Sequence, residues 1–193
     1  PANWSGSLAG LNLTVLSGHA GTDPTATVLP VAFEVTPVAN GIEMTPTLSF
    51  GEAGQLIDLN LNASMQDPSE ASGALNDAHT ERTELTLSGF PDGEKVLFYT
   101  EAGVGNGNLD GRVTKDGSGK YIISGLTQDE LDSLKFVHGA TSGVQEIDIS
   151  ARTYEVDSSN AQVGDFSTAT TGKVNINISA TTPTSGNDLF LWD

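Results

Sequence analysis

The chain reads as all-β: an antiparallel β-sandwich with at most one short helix. Three observations carry this. Apolar and polar residues alternate in short runs bounded by Gly, Pro, Asn and Asp, the pattern of strands buried on one face. Hydrophobic residues make up 37% of the 193 and aromatics 6%, so the core must be thin and built mostly from Val, Leu and Ile. Two facing sheets tolerate that better than a thick α/β core. The runs also recur at the spacing of a sandwich, and only one stretch has helical character.

The strands are expected, in order, at residues 11–16, 31–36, 56–61, 84–88, 94–99, 111–114, 120–123, 145–153 and 172–179. In the first, Leu11, Leu13 and Val15 alternate with Asn12 and Thr14; in the second, Val31, Phe33 and Val35 alternate with Ala32 and Glu34. Ile57, Leu59 and Leu61 are separated by Asp58 and Asn60, and Leu85 and Leu87 by Thr86. Val96 and Phe98 mark the run at 94–99. Those at 111–114 and 120–123 flank Asp116-Gly117-Ser118-Gly119, a sequence with turn chemistry. Ile147, Ile149 and Ala151 set the alternation of the eighth run, and Val174, Ile176 and Ile178 that of the ninth. The helical turn is Thr127-Gln128-Asp129-Glu130-Leu131, where Thr127 can cap and Glu130 stands three residues later, as in a capping box.

Charge narrows the function. With 25 acidic and 8 basic residues the formal charge is −17, which opposes compaction unless counter-ions bind, and divalent cations are the direct remedy. Clustered Lys and Arg are lacking, so neither nucleic acid nor an anionic membrane is expected as a partner. There is no Cys, which excludes disulfides and thiolate metal sites. The three His are far apart in sequence, and a zinc site is not expected. No apolar run reaches the roughly 18 residues that a membrane-spanning helix needs, so no membrane insertion is expected. The first and last residues read as cuts through a longer chain.

A weak internal repeat relates the first forty residues to the last fifty. Asn3-Trp4-Ser5-Gly6, the strand near Leu11 and the strand at 31–36 echo Ala140-Thr141-Ser142-Gly143, the strand near Ile147 and a strand at 174–179. Pro37 and Pro183 then close the two stretches. Residues 1–183 are taken as one sandwich module and 184–193 as a linker to a following segment. Within the module, residues 1–37 are either an ordinary Ser-Gly-led hairpin or the last hairpin of a sandwich unit.

Taken in order, the turn motifs form a set. They are Thr36-Pro37-Val38-Ala39-Asn40-Gly41, Gly51-Glu52-Ala53-Gly54, Asp67-Pro68-Ser69-Glu70 and Leu87-Ser88-Gly89-Phe90-Pro91-Asp92-Gly93. Lys115-Asp116-Gly117-Ser118-Gly119, Leu131-Asp132-Ser133-Leu134 and Thr141-Ser142-Gly143 complete it. This set resembles the tandem cadherin-like or immunoglobulin-like repeats of type I-secreted repeats-in-toxin adhesins of bacteria. The resemblance implies an immunoglobulin- or cadherin-like Greek-key sandwich, stabilised by calcium, in a secreted cell-surface protein. The tail Ser185-Gly186-Asn187-Asp188-Leu189-Phe190 is similar to the beginnings of calcium-binding repeats of such proteins. Two departures matter. Asn40 stands where the family has a linker Asp, and Ala53 where it has the Asp of a Glu-Asp pair, so a repeat-joining calcium site would keep Glu52 and lose charge. Residues 66–82 and 100–112 are also longer than the family's usual stretches, and loops of this kind can carry binding.

The candidate metal ligands are Glu52, Asp67, Glu70, Glu84, Glu101, Asn106, Asn108 and Asp110. The loop at 100–112 combines carboxylate and amide oxygens with Gly103, Gly105, Gly107 and Gly111, which suits calcium's six to eight oxygen ligands, although it is no EF-hand. It also reads as a polar hairpin loop shaped by its Gly and Asn residues. Asp67, Glu70, Asp77, Glu81 and Glu84 are either a second calcium site or a solvated acidic loop. Glu155, Asp157, Asn160 and Asp165 form a third candidate, with an inter-strand loop as the plain alternative. Ligand contact is expected from Asn106, Asn108, Asp110 and Arg112, with calcium bridging an anionic group that so acidic a surface would otherwise repel.

No Gly-x-Ser-x-Gly elbow occurs and aromatic and His residues are scarce, so no enzymatic activity is expected. The leading expectation is a calcium-dependent adhesive module that recognises a peptide or protein terminus on a host or neighbouring cell surface. A glycan is the other ligand class, disfavoured because few aromatics are available for stacking. The alternative is a spacer repeat, rigidified by calcium, whose partners are the neighbouring adhesin domains.

Overall fold

The computed structural model describes residues 6–66, 79–91, 95–101, 107–137, 139 and 142–180. Its first two strands stand apart. β1 (Gly6–Ser17) and β2 (Thr25–Val35) form a two-stranded antiparallel sheet and, among the described residues, pair with no other strand. Leu11 lies opposite Val31 and Leu13 opposite Leu29, and a bulge falls between Leu8 and Leu11. Gly10 there takes a positive φ of 84°, a conformation open to glycine at little cost.

After the linking residues 37–41 the chain builds its body. β3 (Ile42–Met44), β4 (Ser49–Glu52), β5 (Leu56–Asp58) and β6 (Ala63–Met65) are short, and β7 (Thr80–Ser88) is the first long strand. β8 (Leu97–Tyr99), a 3-10 turn at Asp110–Arg112, β9 (Val113–Lys115) and β10 (Tyr121–Leu126) follow. Helix α1 (Gln128–Asp132) leads to β11 (Lys135–Val137), β12 (Gly143–Val156), β13 (Gln162–Val163) and β14 (Thr170–Ser179). The main sheet has the order β4-β14-β12-β7-β10-β9, with β13 paired to β12. All its pairs are antiparallel except β14 with β4, which is parallel. A second sheet of order β5-β11-β8 and a β3-β6 pair complete the body.

The two larger sheets share one core. Leu85, Leu87, Ile123, Ile147, Ile149 and Ile176 of the main sheet belong to the same buried cluster as Ile57, Phe98 and Phe136 of the second. Phe98 meets Tyr121 edge-on across that core, with ring centroids 5.5 Å apart. Phe90 packs edge-on against both of these rings and against Phe136. The few aromatics of a core-poor sequence are thus concentrated at one point, where edge-to-face contacts add to area burial.

The all-β architecture with a single short helix among the described residues agrees with the sequence reading. The capping box is present: Thr127 Oγ1 accepts from the Glu130 N–H, and the Glu130 carboxylate accepts from the Thr127 N–H. The run expected at 56–61 is strand only through Asp58, yet Leu59 and Leu61 remain buried, so the alternation reports burial beyond the ladder. β3, β4, β6, β11 and β13 were not anticipated, because two to four residues are too few to show a period. The Ser88-Gly89 motif also gains a physical reason. Gly89 has φ of 103°, and a Cβ there would stand 2.5 Å from the carbonyl oxygen of Glu146.

Candidate metal centre

The inward face of β7 reads Glu81, Thr83, Leu85, Leu87, and all four are fully buried. On the neighbouring β12 the inward residues are Ile147, Ile149, Ala151, Thr153 and Glu155, equally enclosed. The antiparallel register sets Leu87 opposite Ile149, Leu85 opposite Ala151, Thr83 opposite Thr153 and Glu81 opposite Glu155. One continuous face therefore grades from aliphatic to hydroxyl to carboxylate along the strands. It ends with two buried glutamates side by side.

That acidic end adjoins residues 37–41. The N–H groups of Asn40 and Gly41 donate to Glu81 Oε1 at 2.7 and 3.3 Å, and the Gly41 N–H also donates to Thr153 Oγ1 at 2.9 Å. Ser167 Oγ accepts from the Thr153 N–H and lies 3.0 Å from Thr153 Oγ1. Pro37 is buried, with its carbonyl oxygen 3.0 Å from where a Cβ on Gly164 would stand. The chain leaving the hairpin is thus fastened to the body at the acidic pole.

A hard cation at this pole would meet oxygen atoms that lack hydrogen-bond partners. Glu81 Oε2 and Thr83 Oγ1 are enclosed without a hydrogen-bond partner, and each such atom costs about 1–3 kcal/mol. Two buried carboxylates also stand in direct opposition there, Glu155 engaged in an interaction of its own. The potential ligands are all oxygens, the preference of calcium rather than of zinc. Among the described residues no three Asp, Glu or His side chains gather at one point. An ion here would draw on Glu81 and Glu155 and complete its shell from hydroxyl or backbone oxygens and water.

The residues proposed from sequence are dispersed or differently engaged. Asp67, Glu70, Asp77 and Asn106 lie outside the described residues, as does the tail at 185–190. Glu52 ends the edge strand β4, opposite Ser179. Glu84 projects from the face of β7 opposite to Glu81 and binds Arg152 at 2.6 Å, with Ser124 also donating to it. Glu101 pairs with Lys135, which also pairs with Asp58; both carboxylates push the ammonium's pKa up. Asn108 and Asp110 hydrogen-bond to each other, Asn108 Oδ1 accepting from the Asp110 N–H at 2.8 Å.

Of the third candidate group, Glu155 joins the pole, whereas Asp157 holds a turn. Its Oδ1 accepts from the Ser159 N–H and hydroxyl and from the Ala161 N–H, and Asn160 has a positive φ of 61°. Asp116 does the same with Ser118 and Lys120 in the Gly119 turn. These bonds hold both carboxyls below the ordinary value: Ser159 leads for Asp157, and the Lys120 N–H for Asp116. Asp-x-Ser followed by Gly or Asn is here a device of turn formation.

Arg112, expected at a ligand, forms a two-pronged ion pair with Glu130 at 2.6 and 3.1 Å and donates to the Gly125 carbonyl. Burial works to raise the Glu130 carboxyl, but Arg112 and the Thr127 N–H outweigh it and hold the pKa down. Arg112, Arg82, Tyr154 and Asn160 help line a cleft of about 340 Å³. Burial, reinforced by nearby Glu84, pushes the Tyr154 phenol up, so it stays a hydroxyl at neutral pH. Two guanidinium groups in one cleft are notable in a chain with 8 basic residues.

Sequence reasoning placed Glu81 and Glu155 in separate acidic loops. The signal that joins them is phase: each continues the period-2 register of buried residues in its strand. No protein-family model and no curated protein matches the chain.

Proposed function

We propose that the chain is a calcium-dependent module of a large bacterial surface adhesin, in which calcium held by Glu81 and Glu155 stiffens the junction at residues 37–41. The observation that carries this reading is the opposed, fully buried pair of glutamates beside the backbone N–H groups of Asn40 and Gly41. A divalent ion there neutralises the pair and ties the linking segment to the body, as a rigid extender requires. In this reading the chain spaces and binds rather than catalyses, works outside the cell, and has neighbouring adhesin domains among its partners.

Adhesive recognition is the second reading. The cleft of Arg82 and Tyr154 favours it, because a guanidinium beside a phenol suits a carboxylate such as a peptide or protein terminus, while Arg112 in the same cleft is already paired with Glu130. A glycan finds fewer partners there, since no pair of exposed aromatics lines the cleft among the described residues.

Thermal unfolding of the full chain in chelator, in magnesium and in millimolar calcium tests the first reading. An ion at 100 times its Kd adds about 2.7 kcal/mol, or roughly 5–10 °C for a chain of this size. An unchanged Tm in calcium overturns it. Calorimetric titration with one peptide, as free acid and as C-terminal amide, tests the second. Equal binding of the two forms, or none, refutes recognition of a terminus.

A further inference from the structure

We propose that the β1–β2 hairpin is a docking surface for a second β-sandwich body of the same build that lacks its own closing hairpin. The hairpin completes that body by strand addition, as β12 and β14 complete this one. Register is the first argument. In the body, Gly143 pairs with Ile178, Gln145 with Ile176, Ile147 with Val174 and Ile149 with Gly172. In the hairpin, Gly6 pairs with Val35, Leu8 with Phe33, Leu11 with Val31 and Leu13 with Leu29. The ladders correspond pair for pair once the bulge after Leu8 is allowed for. In both, a Thr-Ala-Thr triplet ends four residues before the paired valine: Thr25-Ala26-Thr27 before Val31, and Thr168-Ala169-Thr170 before Val174.

Burial is the second argument, and it has the opposite sign in the two copies. Ile147, Ile149, Val174, Ile176 and Ile178 are 0–2% exposed, whereas Leu11, Leu13, Leu29, Phe33 and Val35 are 41–57% exposed. In the body the covering is explicit: β7 pairs along β12, β4 pairs parallel to β14, and the second sheet lies across the core. Among the described residues, the outer edges of β1 and β2 have no strand beside them. A long ladder with open edges and one apolar face is the geometry of β-strand addition.

Charge identifies the partner further. Residues 6–35 contain Asp23 and Glu34 as their only acids and no Lys or Arg. Glu34 lies opposite Ser7, on the other face from Leu11 and Val31. The apolar face is uncharged, so it can receive a body as acidic as this one without repulsion. In the intact chain the corresponding slot is filled by β12 and β14, so the acceptor must be another body.

The test places residues 38–138 directly ahead of Pro1 in the full chain. This gives a first body without a closing hairpin and brings β1 to within one residue of the native spacing between β11 and β12. Amide hydrogen exchange across residues 6–35 should slow by about tenfold or more relative to the parent chain. Leu13→Asp with Val31→Asp should restore fast exchange there while leaving the second body protected. Unchanged hairpin exchange in the fusion, with residues 42–179 still protected, overturns the proposal. So does a parent chain whose hairpin is already protected in a concentration-dependent dimer, which would make a second copy the occupant. As an independent check, residues 142–180 are replaced by 5–36. A cooperative thermal transition supports the equivalence of the hairpins, and failure of both variants to fold counts against it.

Discussion

Replacing Glu155 by Gln should stabilise the chain in chelator and remove its response to calcium. The side chain lies directly across the ladder from Glu81, and both are fully buried. Opposed residues in an antiparallel pair have Cβ atoms about 4.5–5.5 Å apart. Two like charges near 5 Å at an effective dielectric of about 20 repel by roughly 3 kcal/mol. A chain of this size changes Tm by about 2–4 °C per kcal/mol, so relief of the repulsion alone sets a ceiling of roughly 6–12 °C on the rise in Tm in chelator, from which the loss of the interaction Glu155 already makes is subtracted. The substitution keeps shape and leaves intact the bonds from Asn40 and Gly41 to Glu81. In millimolar calcium the order should reverse, because the wild type gains an ion that the variant holds poorly. Circular dichroism melts at low ionic strength, with and without calcium, decide it. A variant that melts below the wild type in chelator and keeps the full calcium response would refute the reasoning.

Three further outcomes follow from other parts of the body. Gly89→Ala should destabilise strongly, by about 2 kcal/mol or more, because the new Cβ meets backbone rather than a movable side chain; denaturant titration measures it. Ile149→Ala should cost about 2–5 kcal/mol, whereas its hairpin counterpart Leu13→Ala should change the stability of the body by no more than about 0.5 kcal/mol. Equal losses in the same titration would show that the hairpin face is covered. Glu130 has a lowered carboxyl pKa in the folded chain, so the stability it contributes is present above about pH 4.3 and is lost as pH falls through the lowered value. Acid titration of Glu130→Gln should therefore show a shallower loss of stability below pH 4.3, and an unchanged slope would remove Glu130 from the acid response.

How much was legible depended on length and phase. β7, β12 and β14 carry four or more alternating positions each, and their burial follows the sequence pattern along much of their length. β3 and β6 pair with each other over three residues, and Thr170 Oγ1 secures the Ile42 carbonyl, a contact that reaches across 128 positions. No local pattern announces such an element. The acidic pole was half legible. Extending the Leu85-Leu87 phase backward puts Glu81 inward, and extending the Ile147-Ile149 phase forward puts Glu155 inward. That the two ends meet depends on β7 lying beside β12, which is a fact of topology. The acidic loops attracted attention instead because charge density in sequence is easy to see, yet Asp116 and Asp157 spend their carboxylates on turns.

The correspondence between the hairpin and β12–β14 separates the two proposals physically. Carried along the strand, it matches Leu11 with Ile147, Leu13 with Ile149 and Val15 with Ala151, and β1 ends at Ser17, before any counterpart of Glu155. The apolar positions are retained and the carboxylate is not. What the two hairpins share is therefore the register of apolar pairs, while the opposed buried glutamates belong to the body alone. A body closed by β1 and β2 would lack an acid on that strand and would have no opposed pair to neutralise at its pole. Glu155→Gln should then leave hairpin docking untouched, and Leu13→Asp with Val31→Asp should leave the calcium response untouched. If either substitution affected both properties, the junction at 37–41 would have to couple them, through the bonds from Asn40 and Gly41 that fasten the linking segment to Glu81.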